Sequence, residues 1–407
     1  MVIATNDAQR DLALPDGREW LARIANRRPV VVLIPIFNGL KYVHRLFGCK
    51  ALWDAGLDVV AINDASTDPG VSEYLTAAAR DNQSIHIVTN ERNLGFVESV
   101  NRGLRLCPNS DVIILNSDTL VGAGWATDLA RIAYAYNEVA AVSPLSNAAG
   151  FFSVPCPREQ NDMPSGTNLE ICTDSLRLGS PKPFEVAPAA SGFAMYMRRS
   201  AISKVGVFDS DLFYRGYGEE TDFCCRARRA GLINLIALTR YVYHEREGSF
   251  GAEKKNLKIR NSAVLKAMDS HVADLKSYES VSVIEETGKR FAAFCDQLRN
   301  DCKGQFEVAV GQDGASKDVW YVEVHYGVFV DGHVEDQCVI ESTDCRQYNV
   351  LDEIVRAVAH YGGDTVVDRD GLLGSDVVDL LAAGGIQVTG GDKSGGRRAV
   401  VGGSSAG

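Results

Sequence analysis

The stretch VIILNSDTL, residues 112–120, passes directly from an apolar run into a polar one. Val112 to Leu115 are typical of a short, fully buried strand, and Asn116, Ser117, Asp118 and Thr119 follow where that strand would end. Open α/β sheets bind their ligands at the carboxyl edge of the strands. A polar turn that only closes a core strand has the same pattern, so this stretch alone leaves both interpretations open.

The same unit recurs between Pro29 and Val142. Apolar, strand-like runs occupy residues 29–37, 57–64, 84–90 and 111–115, and each is followed by a helical pattern, around 42–55, 71–80, 96–106 and 126–137. Such repeats predict a parallel sheet with helices on both faces. Every strand ends in polar or turn-forming residues, at 37–39, 63–68, 90–95 and 116–119. Because parallel strands end on the same side of a sheet, we expect these clusters to meet in one crevice.

Composition bounds the class of protein. The chain has 407 residues, enough for two or three domains, and its 45% hydrophobic and 23% charged residues are those of an ordinary globular protein. The net charge of -11 argues against general affinity for nucleic acid or anionic membranes. No apolar run reaches the roughly 18 residues of a membrane span, and a signal peptide is not evident, so a cytoplasmic protein is expected. The cysteines are interpreted as reduced core residues.

Six motifs occur in a set order along the first part of the chain: PIFN (35–38), NDASTD (63–68), NLGF and NRG (93–103), LNSDT (115–119), GVFD and GYGEETDFCCRARRAG (206–231), and YVYHEREGSF (241–250). This set resembles the inverting glycosyltransferases of family 2, with their GT-A type nucleotide-sugar-binding fold, over residues 29–250. The resemblance implies that a hexosyl or rhamnosyl group moves from a UDP- or dTDP-sugar to an acceptor hydroxyl, by metal-assisted direct displacement.

The resemblance implies a divalent cation, Mn²⁺ or Mg²⁺, at the leaving diphosphate. Asp118 and His244 are the expected ligands, although a lone histidine is more often an ordinary surface or core residue. The family has an Asp-x-Asp motif at this place. Asn116 replaces its first Asp, which leaves one charge fewer for the metal.

The residues expected to bind the donor follow the predicted strands: Pro35, Phe37, Asn38, Asp64, Asn93, Asn116, Ser117 and Asp118. Asp64 would accept a hydrogen bond from uracil or thymine, as its counterpart does in similar enzymes. It could instead cap the next helix, although Asp68 is the better cap because Pro69 follows it. Arg198 or Arg199 could reach a phosphate, or form a basic pair in solvent.

The resemblance places the catalytic base at Glu219 or Glu220, where the family shows Glu-Asp at a helix start. Direct displacement needs a carboxylate that takes the proton of the attacking hydroxyl. The second position usually supplies it, which favours Glu220, but the change from Asp to Glu leaves the roles of the two acids open. Without the other motifs, two acids at a helix amino terminus would only balance the helix dipole.

Later segments carry weaker predictions. Residues 150–188 are rich in proline and are interpreted as a flap on the acceptor side. Residues 251–303 are read as a helical linker with a basic face at Lys254, Lys255 and Lys258. Residues 1–28 form an amino-terminal extension, and residues 396–407 a flexible tail.

Residues 304–395 predict a second, smaller α/β domain. It weakly resembles the RNase-H-like nuclease domain of viral DNA-packaging terminases, with Asp313, Asp368 and Asp370 as the matching carboxylates. The alternatives to a transferase are therefore a nucleic-acid enzyme or nucleic-acid-binding protein acting through this domain, or a non-catalytic nucleotide-binding scaffold. The partner is left open among an acceptor glycan, a protein, a modified nucleic acid and a second copy of the chain.

Overall fold

The computed structural model describes residues 14–214, 216–245, 253–268, 279–298, 303–312, 320–330, 333–345 and 350–390. The strands are β1 (Val30–Ile36), β2 (Asp58–Asn63), β3 (Ile85–Thr89), β4 (Asp111–Leu115), β5 (Thr119–Val121), β6 (Val139–Leu145), β7 (Phe184–Ala187), β8 (Ala194–Met197), β9 (Ile233–His244), β10 (Lys303–Gln312), β11 (Trp320–Val330), β12 (His333–Cys345), β13 (Thr365–Asp368) and β14 (Gln387–Gly390). The helices are α1 (Gly17–Ala25), α2 (Leu40–Phe47), α3 (Lys50–Trp53), α4 (Pro69–Asp81), α5 (Gly95–Leu106), α6 (Trp125–Ala133), α7 (Leu169–Gly179), α8 (Arg199–Val205), α9 (Glu219–Arg229), α10 (Glu253–Met268), α11 (Glu279–Gln297), α12 (Val350–Tyr361) and α13 (Ser375–Ala383).

The larger sheet has nine strands in the order β3-β2-β1-β4-β8-β6-β9-β5, with β7 beside β9. The first four strands are parallel, as the repeats predict. Strand β8 is antiparallel to both of its neighbours, β4 and β6, and β9 then runs parallel to β6. The carboxyl ends of β1, β2, β4 and β9 and the start of β8 therefore lie along one edge of the sheet.

Local sequence explains how this sheet is covered. Helix α5 lies close against β1 because residue 103 is glycine: a Cβ there would come within 2.2 Å of Leu33 Cδ1. Helix α4 begins at Pro69, and the Asp68 carboxylate accepts a hydrogen bond from the Gly70 amide, which confirms Asp68 as the cap.

The smaller sheet has the order β12-β11-β10-β13-β14. Strands β10, β11 and β12 are antiparallel neighbours, whereas β13 is parallel to β10 and β14 to β13. The predicted α/β class, with a mostly parallel main sheet and a second, smaller unit, is thus confirmed. Strand β12 was not predicted, because its polar residues do not alternate clearly and it lies at the sheet edge.

The interpretation of residues 150–188 as a flap is wrong for its second half. Residues 169–179 form helix α7, in which Cys172 and Leu176 are fully buried. Residues 184–187 form β7, which pairs antiparallel with β9. Prolines at 181 and 183 lie between these elements, where they interrupt no ladder.

A buried ion cluster joins the two sheets. The Asp128 carboxylate of α6 lies 3.2 Å from Arg131 Nη1, 3.5 Å from Arg177 Nη2 and 2.6 Å from Arg240 Nε. Arg131 also donates to the Gly363 carbonyl at 2.6 Å, just past α12. Burial, partly offset by Asp128, lowers the pKa of Arg240 to about 10. The opposite charges are thus held away from water beside the larger sheet, and the hydrogen bond from Arg131 to the Gly363 carbonyl links them to the smaller unit.

None of the helices in the described ranges has both the length and the apolar character that a membrane crossing needs.

Candidate active site

A pocket of about 1000 Å³ opens at the carboxyl edge of the larger sheet. It lies at the upper end of the range for small-molecule sites, with room for a donor and an acceptor. Apart from Arg198 and Arg199, its walls include the residues predicted for the site: Pro35, Phe37, Asn38, Asp64, Asn93, Asn116, Ser117, Asp118, Glu219, Glu220 and His244. The structure thus brings together side chains from loops that are far apart in sequence.

The expected metal ligands are neighbours because β5 and β9 pair, with Thr119 opposite His244. His244 Nε2 lies 3.4 Å from Asp118 Oδ1. On the other side of the ring, Nδ1 lies 3.1 Å from the Ala148 carbonyl, so it carries the proton and donates it there. Nε2 therefore lies on the Asp118 side of the ring, and it is the nitrogen through which His244 would bind a metal.

Further contacts hold the backbone and the ring of His244 in place. The Asn147 side chain accepts a hydrogen bond from the His244 amide at 2.8 Å and donates to its carbonyl at 3.0 Å. The Phe193 ring stacks on the imidazole at 5.2 Å between centroids. The donor set, one carboxylate oxygen and one neutral imidazole nitrogen, fits Mn²⁺ or Mg²⁺ completed by phosphate and water.

Two donor-side residues retain unused hydrogen-bonding capacity. The Asp64 carboxylate accepts from Asn90 Nδ2 and the Leu94 amide through Oδ1, and from the Gly95 amide through Oδ2. Its two oxygens offer about four lone pairs, so Oδ2 keeps one for a ligand. Asn116 Oδ1 is buried with no partner in the structure.

Phe37 and Asn38 have different functions in the pocket wall. Phe37 is 38% exposed, unusual for a large apolar ring beside a core strand, and offers a flat face to a ligand. Asn38 Oδ1 instead accepts from the Thr67 and Asp68 amides at 2.8 and 3.0 Å. It therefore ties the loop after β1 to the loop after β2.

The two acids lie at the first turn of α9. Glu219 is 4% exposed, and its Oε2 has no hydrogen-bond partner among the described residues, whereas Glu220 is half-buried and accepts from the Gly218 amide at 3.2 Å. Burial, and then the charge of Glu220, raises the pKa of Glu219 well above its ordinary value. Burial also raises the pKa of Glu220, while the hydrogen bond from Glu219 opposes that rise.

Helix α10 supports the loop before these acids. Asn261 is 1% exposed, and its Nδ2 donates to the Gly216 carbonyl at 2.8 Å. Gly216 and Gly218 have φ values of 95° and 125°, a region that favours glycine. The sequence offered no signal for this support, because nothing local links an asparagine in one helix to a turn before another.

Arg198 and Arg199 lie away from the pocket, so the prediction of a phosphate contact is wrong for both. Arg198 donates to the Tyr136 carbonyl at 3.0 Å, and its guanidinium lies over the Tyr134 ring. Arg199 is buried and donates to the Leu104 and Cys107 carbonyls at 3.1 and 2.7 Å. Both cations satisfy carbonyl groups where helices end.

Sequence reasoning also missed part of the wall. Phe151 and Phe152 come from the turn after β6, Leu265 from α10, and Val281 and Ile284 from α11. Their apolar character is ordinary for core residues, so only their position shows that they face a cavity.

The family model for glycosyl transferase family 2 matches residues 31–206. This segment is similar to glycosyltransferase family 2. It contains the donor side and the Asp118 loop, whereas the two acids and His244 follow it in sequence. The resemblance drawn from the six motifs is thereby confirmed at the level of the family.

Curated relatives of the family 2 domain include the pre-mycofactocin glycosyltransferase of Mycobacterium tuberculosis, which is 28% identical over 210 residues. The alignment covers 51% of this chain and 40% of the relative, so the chain spans well under half of that protein's length.

Solved structures of low similarity include GalNAc-T7 with UDP, GalNAc and Mn²⁺, at 14% identity and a TM-score of 0.44, covering 78% of this chain and 67% of that one. A second is the mannosyltransferase PcManGT from Pyrobaculum calidifontis with GDP-Man and Mn²⁺, at 14% identity and a TM-score of 0.41, covering 71% of this chain and 90% of that one. Scores below 0.5 do not by themselves establish a common fold.

Proposed function

We propose that this chain is an inverting glycosyltransferase that moves a sugar from a nucleotide-diphospho-sugar to an acceptor hydroxyl. One observation carries the proposal: the Asp118–His244 pair and the Glu219–Glu220 pair line a single pocket within and just after a family 2 domain. The catalytic unit is taken as residues 29–250, with residues 304–395 as a second unit.

The donor is proposed to be a UDP- or dTDP-sugar carrying a hexosyl or rhamnosyl group. Uracil and thymine present an imide N–H, which the remaining lone pair of Asp64 Oδ2 would accept, and Phe37 offers a face on which the base would stack. Asn116 Oδ1 would accept from a ribose hydroxyl. Asn93 and Ser117 complete the donor wall.

Charge balance favours a cation at Asp118 and His244. The described lining residues include no lysine or arginine, while a diphosphate brings at least two negative charges. Mn²⁺ or Mg²⁺ held by these two side chains would stabilise the charge that develops on the leaving diphosphate. Asp118 and Nε2 of His244 would hold that cation.

Glu220 is proposed as the base and Glu219 as its protonated neighbour. Two adjacent buried carboxyls do not both ionise readily, and the more buried Glu219 retains the proton. It donates that proton in a hydrogen bond to Glu220, which faces the pocket and takes the proton of the attacking hydroxyl.

The direct test is a panel of nucleotide-sugars with Mn²⁺, scored for release of nucleoside diphosphate. Metal-dependent release with one donor is the expected result. Tight binding of UDP or dTDP without release, across many acceptors, would instead identify a nucleotide-binding scaffold.

Removing either metal ligand should weaken nucleotide binding only when metal is present. For Asp118→Asn and His244→Ala we expect the Mn²⁺-dependent gain in UDP affinity, measured by calorimetry, to fall by at least about tenfold. His86→Ala is the matched control, because His86 is exposed and pairs with Asp58. A full metal-dependent gain in both site variants would contradict the assignment of these ligands.

The raised pKa of Glu220 predicts the pH profile. The base must be ionised, so kcat/KM should be low below this pKa and rise as pH passes through it, above the ordinary value of 4.5. Glu219→Ala removes the hydrogen bond that lowers the pKa of Glu220, so kcat/KM should begin to rise at a higher pH than in the original chain. Glu219→Gln keeps a hydrogen-bond donor at this place, so the pH at which kcat/KM rises should not change. If kcat/KM rose at the same pH in the original chain, Glu219→Ala and Glu219→Gln, the proposed hydrogen bond between Glu219 and Glu220 would be contradicted.

The contacts of the described carboxylates of the smaller unit are structural and do not favour a nucleic-acid enzyme. Both oxygens of Asp368 accept backbone amides, from Leu372 and Leu373, at 2.9 Å. Asp370 accepts from the Gln312 amide at 3.0 Å, and Asp313 lies outside the described residues, as do the side chains of Lys254, Lys255 and Lys258. The two described carboxylates thus stabilise the turn after β13, and the RNase-H-like resemblance remains a prediction from sequence.

A further inference from the structure

The walls around the proposed base are apolar, in contrast to the donor side. Phe151, Phe152, Leu265, Val281 and Ile284 line the same pocket as Glu220, and Ser262 is the polar lining residue from the described part of α10 and α11. Gly192 lies against the acid, since a Cβ on it would come 3.8 Å from Glu220 Cβ. An inference about the acceptor from these walls rests on the proposed function.

Helix α10 places an apolar side chain, that of Leu265, against the loop that precedes the proposed base. Leu265 Cδ1 lies 3.1 Å from the position that a Cβ on Gly218 would take, two residues before Glu220. The Asn261 hydrogen bond to Gly216 ties the same helix to the same loop. These two contacts fix the position of Leu265 relative to the loop at residues 216–218, which leads into Glu220.

Helix α11 is held equally closely to the turn that carries the two phenylalanines. A Cβ on Gly288 would come within 2.3 Å of the Pro155 carbonyl oxygen, so only glycine permits this approach. Ile284, one turn earlier, is 1% exposed, while Val281 is half-buried at the pocket. Phe151 is restrained by the Arg158 guanidinium, 4.2 Å from its ring centroid.

Charge and hydrogen bonding limit what these walls can accept. The acids lining the pocket are Asp64, Asp118, Glu219 and Glu220, with no lysine or arginine among the described lining residues. A phosphorylated acceptor would bring its negative charge close to these carboxylates, and no lysine or arginine among the described lining residues would offset the repulsion. A free sugar would leave several hydroxyls against apolar side chains, where an unmade hydrogen bond is costly.

We propose that the acceptor hydroxyl is carried on an apolar body, an alkyl or aryl group, which lies against Leu265, Val281 and Phe151 while the hydroxyl meets Glu220. Burying the apolar body supplies binding free energy in proportion to the area removed from water. Helices α10 and α11, which follow the family 2 domain, thereby determine the class of acceptor.

Calorimetry with three glucosides that share one head group tests this proposal: methyl, phenyl and n-octyl β-D-glucoside. Each is titrated below its micelle concentration into the full chain, once with UDP and Mn²⁺ and once without them. We expect the phenyl or octyl compound to bind at least about tenfold more tightly than the methyl compound. The better of the two distinguishes an aryl from an alkyl body.

Leu265→Asn and Val281→Asn, on different helices, should each reduce that preference about tenfold and leave UDP affinity unchanged. Ala263→Asn, an exposed change on α10, is the control and should keep the preference. Equal affinity across the three glucosides, or a preference that survives both variants, would overturn the proposal. A chain that fails to bind UDP would count against the proposed function alone, because glucoside binding is read separately.

Discussion

Glu220→Gln should lower kcat by about 10²- to 10⁴-fold, the usual contribution of a general base, in assays with the active donor. Gln keeps the size of the side chain and its contact with the Gly218 amide region, but it takes no proton from an acceptor hydroxyl. UDP affinity in the presence of Mn²⁺ should remain within about twofold, because the proposed ligands of the cation are Asp118 and His244, which lie outside α9.

Glu219→Gln is the matched control for this variant. It changes the adjacent acid in the same way, yet a neutral amide reproduces the protonated state proposed for Glu219 and can still donate to Glu220. We expect activity within about tenfold of the original chain. If Glu219→Gln were the inactive variant and Glu220→Gln the active one, the two roles would have to be exchanged.

Asp128→Ala should be the most destabilising change that we predict. It removes the carboxylate shared by Arg131, Arg177 and Arg240, whose side chains are 6%, 14% and 3% exposed. Asp174 would remain as a partner of Arg177, but burial raises its pKa to about 6, so it offsets the lost charge only in part. Leaving buried cations without their partner costs about 3–5 kcal/mol.

Denaturant unfolding of the full chain gives the measurement, with Asp376→Ala as the comparison. Asp376 pairs with Arg18 at the surface, where the side chains are 71% and 56% exposed, so its loss should cost less than about 1 kcal/mol. Equal effects of the two substitutions would show that the cluster contributes no more than a surface pair.

The fold of the first half was predictable because its causes are local. Alternating apolar runs and helical patterns specify parallel strands whatever else the chain does, and polar residues at the strand ends must then share one edge. Asp68 and Pro69 specified the start of α4 by themselves. By contrast, α7 and β7 lie among prolines, which are typical of a loop, and β12 is a polar strand that ends the order of the smaller sheet in the described residues.

The sequence by itself determined which chemical groups are present: a carboxylate after β4, an imidazole at the end of β9, two acids at the start of α9, and their family resemblance. Only the tertiary structure decided that Nδ1 of His244 is occupied by the Ala148 carbonyl, that Glu219 is the more buried acid, and that α10 and α11 close the acceptor side with apolar side chains. The physical reason is that the functional groups of a chain are fixed by its covalent structure. Their protonation, their burial and whether they face a cavity depend instead on neighbours that folding brings from distant parts of the chain.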